Sequence, residues 1–177
     1  APGGIIGINL GMFLNTEREG ELASVMCHEL AHLSQRHFAR SQNRNSPLAN
    51  ALMILGSIAV AAASRNPEAI LIAPAAMQQM SINYTRSNEK EADRIGFNNL
   101  VKAGFDPNDM TMMFQRMQDK YQNEDSEQFS YLMTHPLPSE RLTDMRIRSD
   151  SLKKSSKNSY RDNVDFYFMQ KTCSSLG

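Results

Sequence analysis

The sequence has no net charge, only two cysteines and no apolar run long enough to span a bilayer. Its 19 basic and 19 acidic residues cancel, so the chain as a whole has no excess charge to attract nucleic acid or an anionic membrane. Cys27 and Cys173 stand far apart, in no zinc-binding spacing, which excludes a cysteine metal framework and leaves the redox compartment open. No internal repeat is visible either.

The chain opens with Ala-Pro-Gly-Gly, which is neither a translation start nor a secretory signal. We therefore expect that an upstream segment has been removed. The 177 residues are 41% hydrophobic and 21% charged, a composition typical of a globular domain with a core. We expect the main domain to cover residues 1–155, lacking its N-terminal part. Residues 156–177 are expected to form a C-terminal helix or the start of a following repeat module.

Helix signals dominate the chain, and they predict a mainly α fold of the α+β class. The β element is a short strand expected over Gly4 to Leu10, where glycines let another backbone approach. Thr16 and Glu19 fit a capping box, with Thr16 as the N-cap. The helix that follows should run to about Arg40.

Leu48 to Ala63 is nearly all apolar. It is shorter than the roughly 18–20 residues of a membrane span, and it contains Asn50 and Ser57. Together with a second apolar stretch, Ala69 to Met77, it predicts a helical hairpin. We favour a hairpin that is buried or covers the active site over membrane insertion, and we expect no transmembrane span.

The segment His28-Glu29-Leu30-Ala31-His32 has the HExxH pattern of a zinc site. Histidines at i and i+4 lie only about 40° apart around a helix, so both rings can reach one ion. Glu29 can then reach the open coordination position and take a proton from water there as a general base. The alternative is a surface helix with two incidental histidines; the capped, partly apolar helix around the motif favours the metal.

Glu89, Glu91, Asp93 and His135 are the candidates for a third ligand. The apolar stripe of the helix that carries the first three consists of Ala92, Ile95, Gly96, Leu100 and Ala103. Glu89 lies on this stripe and Asp93 borders it, whereas Glu91 aligns with polar residues. Two carboxylates on a buried face without a basic neighbour would be costly unless a metal compensates them. We therefore assign Glu89 as a ligand, and Asp93 as a partner of a ligand histidine or a group that helps proton transfer.

The two other histidines, His37 and His135, have different expected roles. His37 is five residues beyond His32, about 140° around the helix, and is expected to be structural or exposed. His135 sits in a loop pinned by Pro136 and Pro138. It is a candidate fourth metal ligand that would block the water position and keep the enzyme latent. The alternative is that it donates a hydrogen bond to the oxyanion of the reaction intermediate.

Three motifs in this order, HELAHLSQRHFAR, NEKEADRIG and THPLPSERL, resemble the M48 family of zinc metalloproteases, gluzincins with a glutamate as third ligand. Within it the sequence is most similar to the periplasmic group that enhances the assembly of outer-membrane β-barrels in Gram-negative bacteria. The resemblance implies a zincin-like helical domain with one Zn²⁺ per chain. It implies His28, His32 and Glu89 as ligands, Glu29 as base and Asp93 as a catalytic aspartate.

The resemblance also implies that the predicted strand is an edge strand that receives extended substrate. It implies a location in the periplasm and a role in envelope quality control, with unfolded or misassembled proteins as substrates and the β-barrel assembly machinery as a partner. The leading hypothesis is thus a zinc endopeptidase. A latent protease domain that acts as a chaperone-like or scaffold module is the alternative, and a metal-free helical interaction module is the third.

Overall fold

The computed structural model describes residues 4–44, 47–121, 131–132, 135–153 and 163–175. These ranges are mainly helical, which confirms the predicted helical class. The helices are α1 (Leu10–Leu14), α2 (Glu19–Ser34), α3 (His37–Arg44), α4 (Pro47–Ser64), a 3-10 helix (Pro67–Leu71), α5 (Ile72–Lys102), α6 (Asn108–Tyr121), α7 (Ser139–Lys153) and α8 (Val164–Ser174).

The chain divides into two compact units. We call residues 1–35 and 89–177 the site unit, and residues 36–88 the hairpin unit. The core of the site unit is built from side chains of α1, α2, α5, α6 and α7 together with Leu132, and it is rich in methionine. Its buried apolar residues are Met12, Val25, Phe97, Leu100, Met110, Met113, Phe114, Met117, Leu132, Leu142 and Met145.

The N-terminal β element is not observed. Residues 5–9 have no regular secondary structure, and Asn9 caps α1 by accepting a hydrogen bond from the Met12 backbone N–H at 3.2 Å. A strand needs a neighbour with which to exchange backbone hydrogen bonds, and the ranges that the structure describes contain no strand. The extended residues before α1 therefore remain irregular.

The start and end of α2 also differ from the sequence prediction. Helix α2 begins at Glu19, its N-cap is Arg18 and no side chain caps it, so the capping box is wrong. The Thr16 hydroxyl donates instead to the Phe13 carbonyl at 2.8 Å. The helix ends at Ser34 and not near Arg40, because Arg36 adopts a left-handed backbone conformation with φ of 54° before α3 begins.

The hairpin unit contains α3, α4, the 3-10 helix and the first part of α5. Helix α4 packs against the 3-10 helix, and within the described part of these two helices the buried residues are small: Ser57, Ala61 and Ala69. Pro74 lies in the first turn of α5, where the missing backbone N–H removes no helical hydrogen bond. Among the helices in the described ranges, none combines the length and the apolarity needed to cross a membrane.

Candidate metal centre

Two helices of the site unit carry the predicted ligands. Helix α2 contributes His28 and His32, and α5 contributes Glu89 and Asp93. Each pair has i,i+4 spacing, so both members face the same side of their helix. His28, Glu89 and Asp93 are almost fully buried, which places the candidate centre inside the unit where the two helices meet.

Gly96 allows this close approach. It lies seven residues after Glu89 and thus on the same face of α5. A Cβ atom at position 96 would lie 3.0 Å from both the Cα and the backbone nitrogen of His28. The missing side chain therefore sets the distance between α5 and α2 at the level of the first histidine.

The ligand atoms converge on one point. His28 Nε2 lies 3.0 Å from His32 Nε2. The two carboxylate oxygens of Glu89 lie 3.3 Å from these nitrogens, Oε2 from His28 and Oε1 from His32. Around a tetrahedral ion with bonds of about 2.0–2.1 Å, ligand atoms are separated by roughly 3.3–3.4 Å. The three side chains thus fit a tetrahedral zinc ion.

His135 joins the same group. Its Nδ1 lies 3.2 Å from Glu89 Oε1, and ligand atoms of His28, His32, Glu89 and His135 all lie within 4.8 Å of one another. His135 is tied to the preceding helical residues, because its backbone N–H donates to the Tyr131 carbonyl at 2.9 Å. The arrangement therefore supplies four protein donors.

The pKa values of Glu89 and His28 show that the centre favours a positive charge between its side chains. Burial raises the pKa of Glu89, but hydrogen bonds from His135, His28 and His32 outweigh it and bring the pKa well below its usual range. Burial likewise lowers the pKa of His28, yet hydrogen bonds to Asp93 and Glu89 prevail and raise it to about 9. Ionised Glu89 is thus a ready anionic metal ligand.

Asp93 lies behind His28 and is held by an arginine. Its Oδ1 is 3.0 Å from His28 Nδ1, the ring nitrogen that does not face His32. Arg141 Nε and Nη2 donate to the two Asp93 oxygens at 2.7 Å each. Burial raises the pKa of Asp93, but His28 and Arg141 lower it overall. The ionised carboxylate can therefore fix the orientation and tautomer of His28.

Arg141 is a basic neighbour of both buried carboxylates, which the sequence does not predict. We expected Glu89 and Asp93 to have no basic neighbour, but Arg141 Nη1 lies 2.9 Å from Glu89 Oε2 as well. The guanidinium is buried and also donates to the Pro136 carbonyl at 2.6 Å. It comes from α7, about 50 residues away in sequence from both acids, so helix periodicity cannot reveal it. The convergence of four ligand atoms is the stronger ground for a metal site.

Glu29 faces an open cleft of about 260 Å³. The Tyr131 hydroxyl donates to Glu29 Oε1 at 3.2 Å, and the Tyr131 ring stacks on His135 with centroids 4.6 Å apart. Burial and the charge of Glu29 raise the pKa of Tyr131 well above its usual value, so the hydroxyl stays protonated as a donor. The cleft is lined by Ile6, Gly7, Ile8, Asn9, Met12, Val25, Met26, Glu29, Tyr131 and His135.

The structure thus brings together all the site residues predicted from the sequence: His28, Glu29, His32, Glu89, Asp93 and His135. Within the described residues, neither Glu91 nor His37 belongs to the metal-competent group. Sequence reasoning missed Arg141, Tyr131 and the packing role of Gly96. Arg141 lies inside the third motif, and this motif was the available signal for it. Tyr131 precedes His135 by four residues, but no sequence pattern links it to Glu29.

The helical site unit, with two histidines and a glutamate converging beside a cleft that holds a second glutamate, has the arrangement of a helical metallopeptidase site. The model of peptidase family M48 matches residues 1–149. The chain therefore belongs to family M48, and the resemblance seen in the three motifs is confirmed.

Several relatives show the same likeness. A Vibrio cholerae protein provisionally named as a beta-barrel assembly-enhancing protease is 49% identical over 152 residues, covering 83% of this chain and 31% of the relative. The beta-barrel assembly-enhancing protease of Yersinia pestis is 41% identical over 160 residues, covering 85% and 32%. A mitochondrial metalloendopeptidase of Schizosaccharomyces pombe is 28% identical over 141 residues, covering 80% and 40%. The chain thus spans about a third of the length of the first two relatives.

Proposed function

We propose that this chain is the catalytic domain of a zinc-dependent endopeptidase that cleaves unfolded or misassembled proteins. The observation that carries the proposal is the convergence of the ligand atoms of His28, His32 and Glu89 next to a cleft that contains Glu29. These three side chains would hold one zinc ion. When bound, zinc would act as a Lewis acid and lower the pKa of a water molecule to about 7.

Glu29 is proposed as the general base. Its carboxylate is partly exposed to the cleft, where it can accept a proton from the attacking water and pass it to the leaving amine. The hydrogen bond from Tyr131 would fix the orientation of this carboxylate. Tyr131 cannot act as the base itself, because its raised pKa keeps the phenol protonated.

The irregular residues 5–9 are proposed as the part of the cleft that receives substrate. Gly7 and Ile8 line the cleft, and their backbone groups form no hydrogen bond within the described ranges. An extended peptide could pair with these groups by β-augmentation, which holds a chain irrespective of its side chains. This mode suits unfolded substrates of varied sequence, and the segment would become a strand only by pairing with a bound substrate.

Asp93 is proposed as a positioning residue and His135 as a regulatory residue. Asp93 is buried, ionised and paired with His28 Nδ1, which favours orientation of the ligand over delivery of a proton. His135 is proposed as a gate, because a fourth protein ligand would occupy the position that catalytic zinc keeps for water. A four-donor group also supports the second candidate function, a latent protease that acts as a chaperone-like or scaffold module until the loop moves.

The substrates and location are proposed from the relatives' names. These describe proteases that enhance β-barrel assembly. We infer that this chain acts in the periplasm, in quality control of outer-membrane β-barrels, with misassembled barrel proteins as substrates and the assembly machinery as a partner.

Zinc content of two glutamine variants tests the metal site. Glu89→Gln removes a buried ligand and should lose zinc, since neutral glutamine is a poor ligand. Glu91→Gln, two residues away and outside the ligand group, is the matched control and should retain about one zinc per chain. Equal zinc loss in both variants, or loss in the Glu91 variant alone, contradicts the assignment.

Hydrolysis of an unfolded protein tests the activity. Glu29→Gln has the same volume but cannot accept a proton, so it should keep its zinc and lose about 10²–10⁴-fold in rate. Activity within a few-fold of the parent would contradict the role of Glu29. If both the parent and a His135→Ala variant bind the unfolded protein but do not cleave it, the chaperone-like alternative replaces the endopeptidase.

A further inference from the structure

The neutrality of the whole chain conceals a separation of charge. The hairpin unit, residues 36–88, contains five arginines, no lysine and no acidic residue other than Glu68. Its net charge is therefore +4, and the remaining residues, with 14 basic and 18 acidic side chains, carry −4. A unit with this excess of arginine is attracted to an anionic surface.

In the hairpin unit small apolar residues are buried and large ones are exposed, the opposite of the usual arrangement in a water-soluble helix pair. Among the residues of this unit that the structure describes, the buried apolar ones are the small Ala61 and Ala69, at 7% and 5% exposure, whereas Leu52 and Leu55 on α4 are 60% and 61% exposed. Small residues at a helix contact with large apolar residues outside are typical of helices that pack in an apolar medium. In water, an exposed apolar surface of this kind marks a binding surface.

The exposed apolar residues surround most of α4. At about 100° per residue, they cover an arc of roughly 240° around the helix, and the remaining arc holds the buried Ser57 and Ala61. No charged residue occurs from Pro47 to Ser64. The exposed large apolar residues of α4 are Leu48, Leu52, Ile54, Leu55, Ile58 and Val60.

We propose that the hairpin unit docks on an anionic phospholipid bilayer, with α4 lying parallel to the membrane in the outer part of the hydrocarbon, just beneath the headgroups. A protein groove, or a cleft that α4 covered as a lid, would enclose one face of the helix and leave the rest of the arc in water. A second copy of this chain would bring two units of charge +4 together. Hydrocarbon can surround the whole arc, and arginine side chains can reach the anionic headgroups.

The docking is interfacial and does not span the bilayer. Helix α4 has 18 residues and is about 27 Å long, slightly less than the roughly 30 Å hydrocarbon core. Arg65 and Glu68 follow directly at the turn of the hairpin, and a span would carry these charges through the core. An anionic membrane is thus recognised by apolar insertion together with charge attraction.

Co-sedimentation with vesicles tests the proposal on the complete 177-residue chain. Vesicles of phosphatidylcholine and phosphatidylglycerol in equal parts should bind the protein more tightly than phosphatidylcholine alone, and added salt should weaken the binding. Arg65→Gln combined with Arg86→Gln should lower affinity for the anionic vesicles by about fivefold per arginine. Lys102→Gln combined with Lys171→Gln, outside the hairpin unit, is the matched charge control and should leave binding unchanged.

Two apolar pairs on α4 distinguish a bilayer from a one-sided groove. Leu52→Gln with Leu55→Gln, and separately Ile54→Gln with Ile58→Gln, should each weaken binding by about tenfold per side chain, because both parts of the arc meet hydrocarbon. Val164→Gln with Phe168→Gln replaces residues of α8 that are 64% and 66% exposed and should have no effect. Circular dichroism should show unchanged helix content in all variants, since every replaced residue is exposed.

The proposal fails if the parent does not bind anionic vesicles, or if either α4 pair binds as tightly as the parent. It also fails if the hairpin binds an acidic unfolded protein, but not vesicles, in a manner that depends on Leu52 and Leu55. That outcome would assign the surface to a protein partner. Dimerisation abolished by the α4 pairs, without vesicle binding, would assign it to a second copy.

Discussion

Gly96→Ala should separate the two helices that hold the metal ligands. The added Cβ would lie 3.0 Å from the Cα and nitrogen of His28, whereas ordinary carbon contacts are about 3.5–4.0 Å. The obstacle is the backbone of another helix and not the end of a flexible side chain, so α5 and α2 must move apart by roughly 0.5–1 Å. Overpacking of this kind costs about 1–3 kcal/mol, which should appear as a lower urea midpoint of the metal-free protein.

The same displacement should weaken zinc binding. Metal sites tolerate errors of about 0.2 Å in ligand distance, and Glu89 moves with Gly96 on α5 while His28 and His32 stay on α2. We expect the zinc affinity to fall about 10–100-fold, the range for changes around a ligand shell, measured by competition with a chromogenic chelator.

Gly56→Ala is the matched control for this prediction. Gly56 lies inside α4, and a Cβ there would meet no atom within 4 Å. Alanine should therefore stabilise the protein by about 0.5–1 kcal/mol through its better helix propensity and leave zinc affinity unchanged. If Gly96→Ala matches the parent in both stability and zinc affinity, the close helix crossing does not position the ligands and the reasoning is refuted.

The remaining predictions concern the two residues that approach the ligands from the C-terminal half. If His135 is a gate, His135→Ala should retain zinc and raise basal cleavage of an unfolded protein; a rate drop of about 10²–10³-fold would instead identify an oxyanion donor. Arg141→Gln removes the only arginine that the described part of the structure places beside the buried Glu89 and Asp93 carboxylates and should destabilise the metal-free protein by about 3–5 kcal/mol in urea unfolding. Arg148→Gln on the same helix breaks a solvent-accessible i,i+4 pair and should cost no more than about 0.5 kcal/mol; equal losses in the two variants would show that the Arg141 contacts carry no special weight.

The part of the site that depends on one helix could be predicted from the sequence. His28 and His32 face the same side because of the helical repeat alone, and Glu29 follows from its place beside them. Glu89 was separated from Glu91 by the apolar stripe of its helix, and the structure places Glu89 in the buried group and Glu91 outside it. Local periodicity is sufficient for such inferences because it does not depend on which helices pack together.

Tertiary structure alone decided the contacts between elements distant in sequence. Arg141 reaches Asp93 and Glu89 across about 50 residues, and Tyr131 reaches Glu29 across 102 residues. The N-terminal strand failed for the same reason, since a strand exists only with a neighbour to pair with. The apolar run predicted a hairpin, but only packing revealed that Ala61 and Ala69 face inward and the leucines outward. Which face of a helix is buried depends on its partner, and a single sequence does not contain that information where every face is apolar.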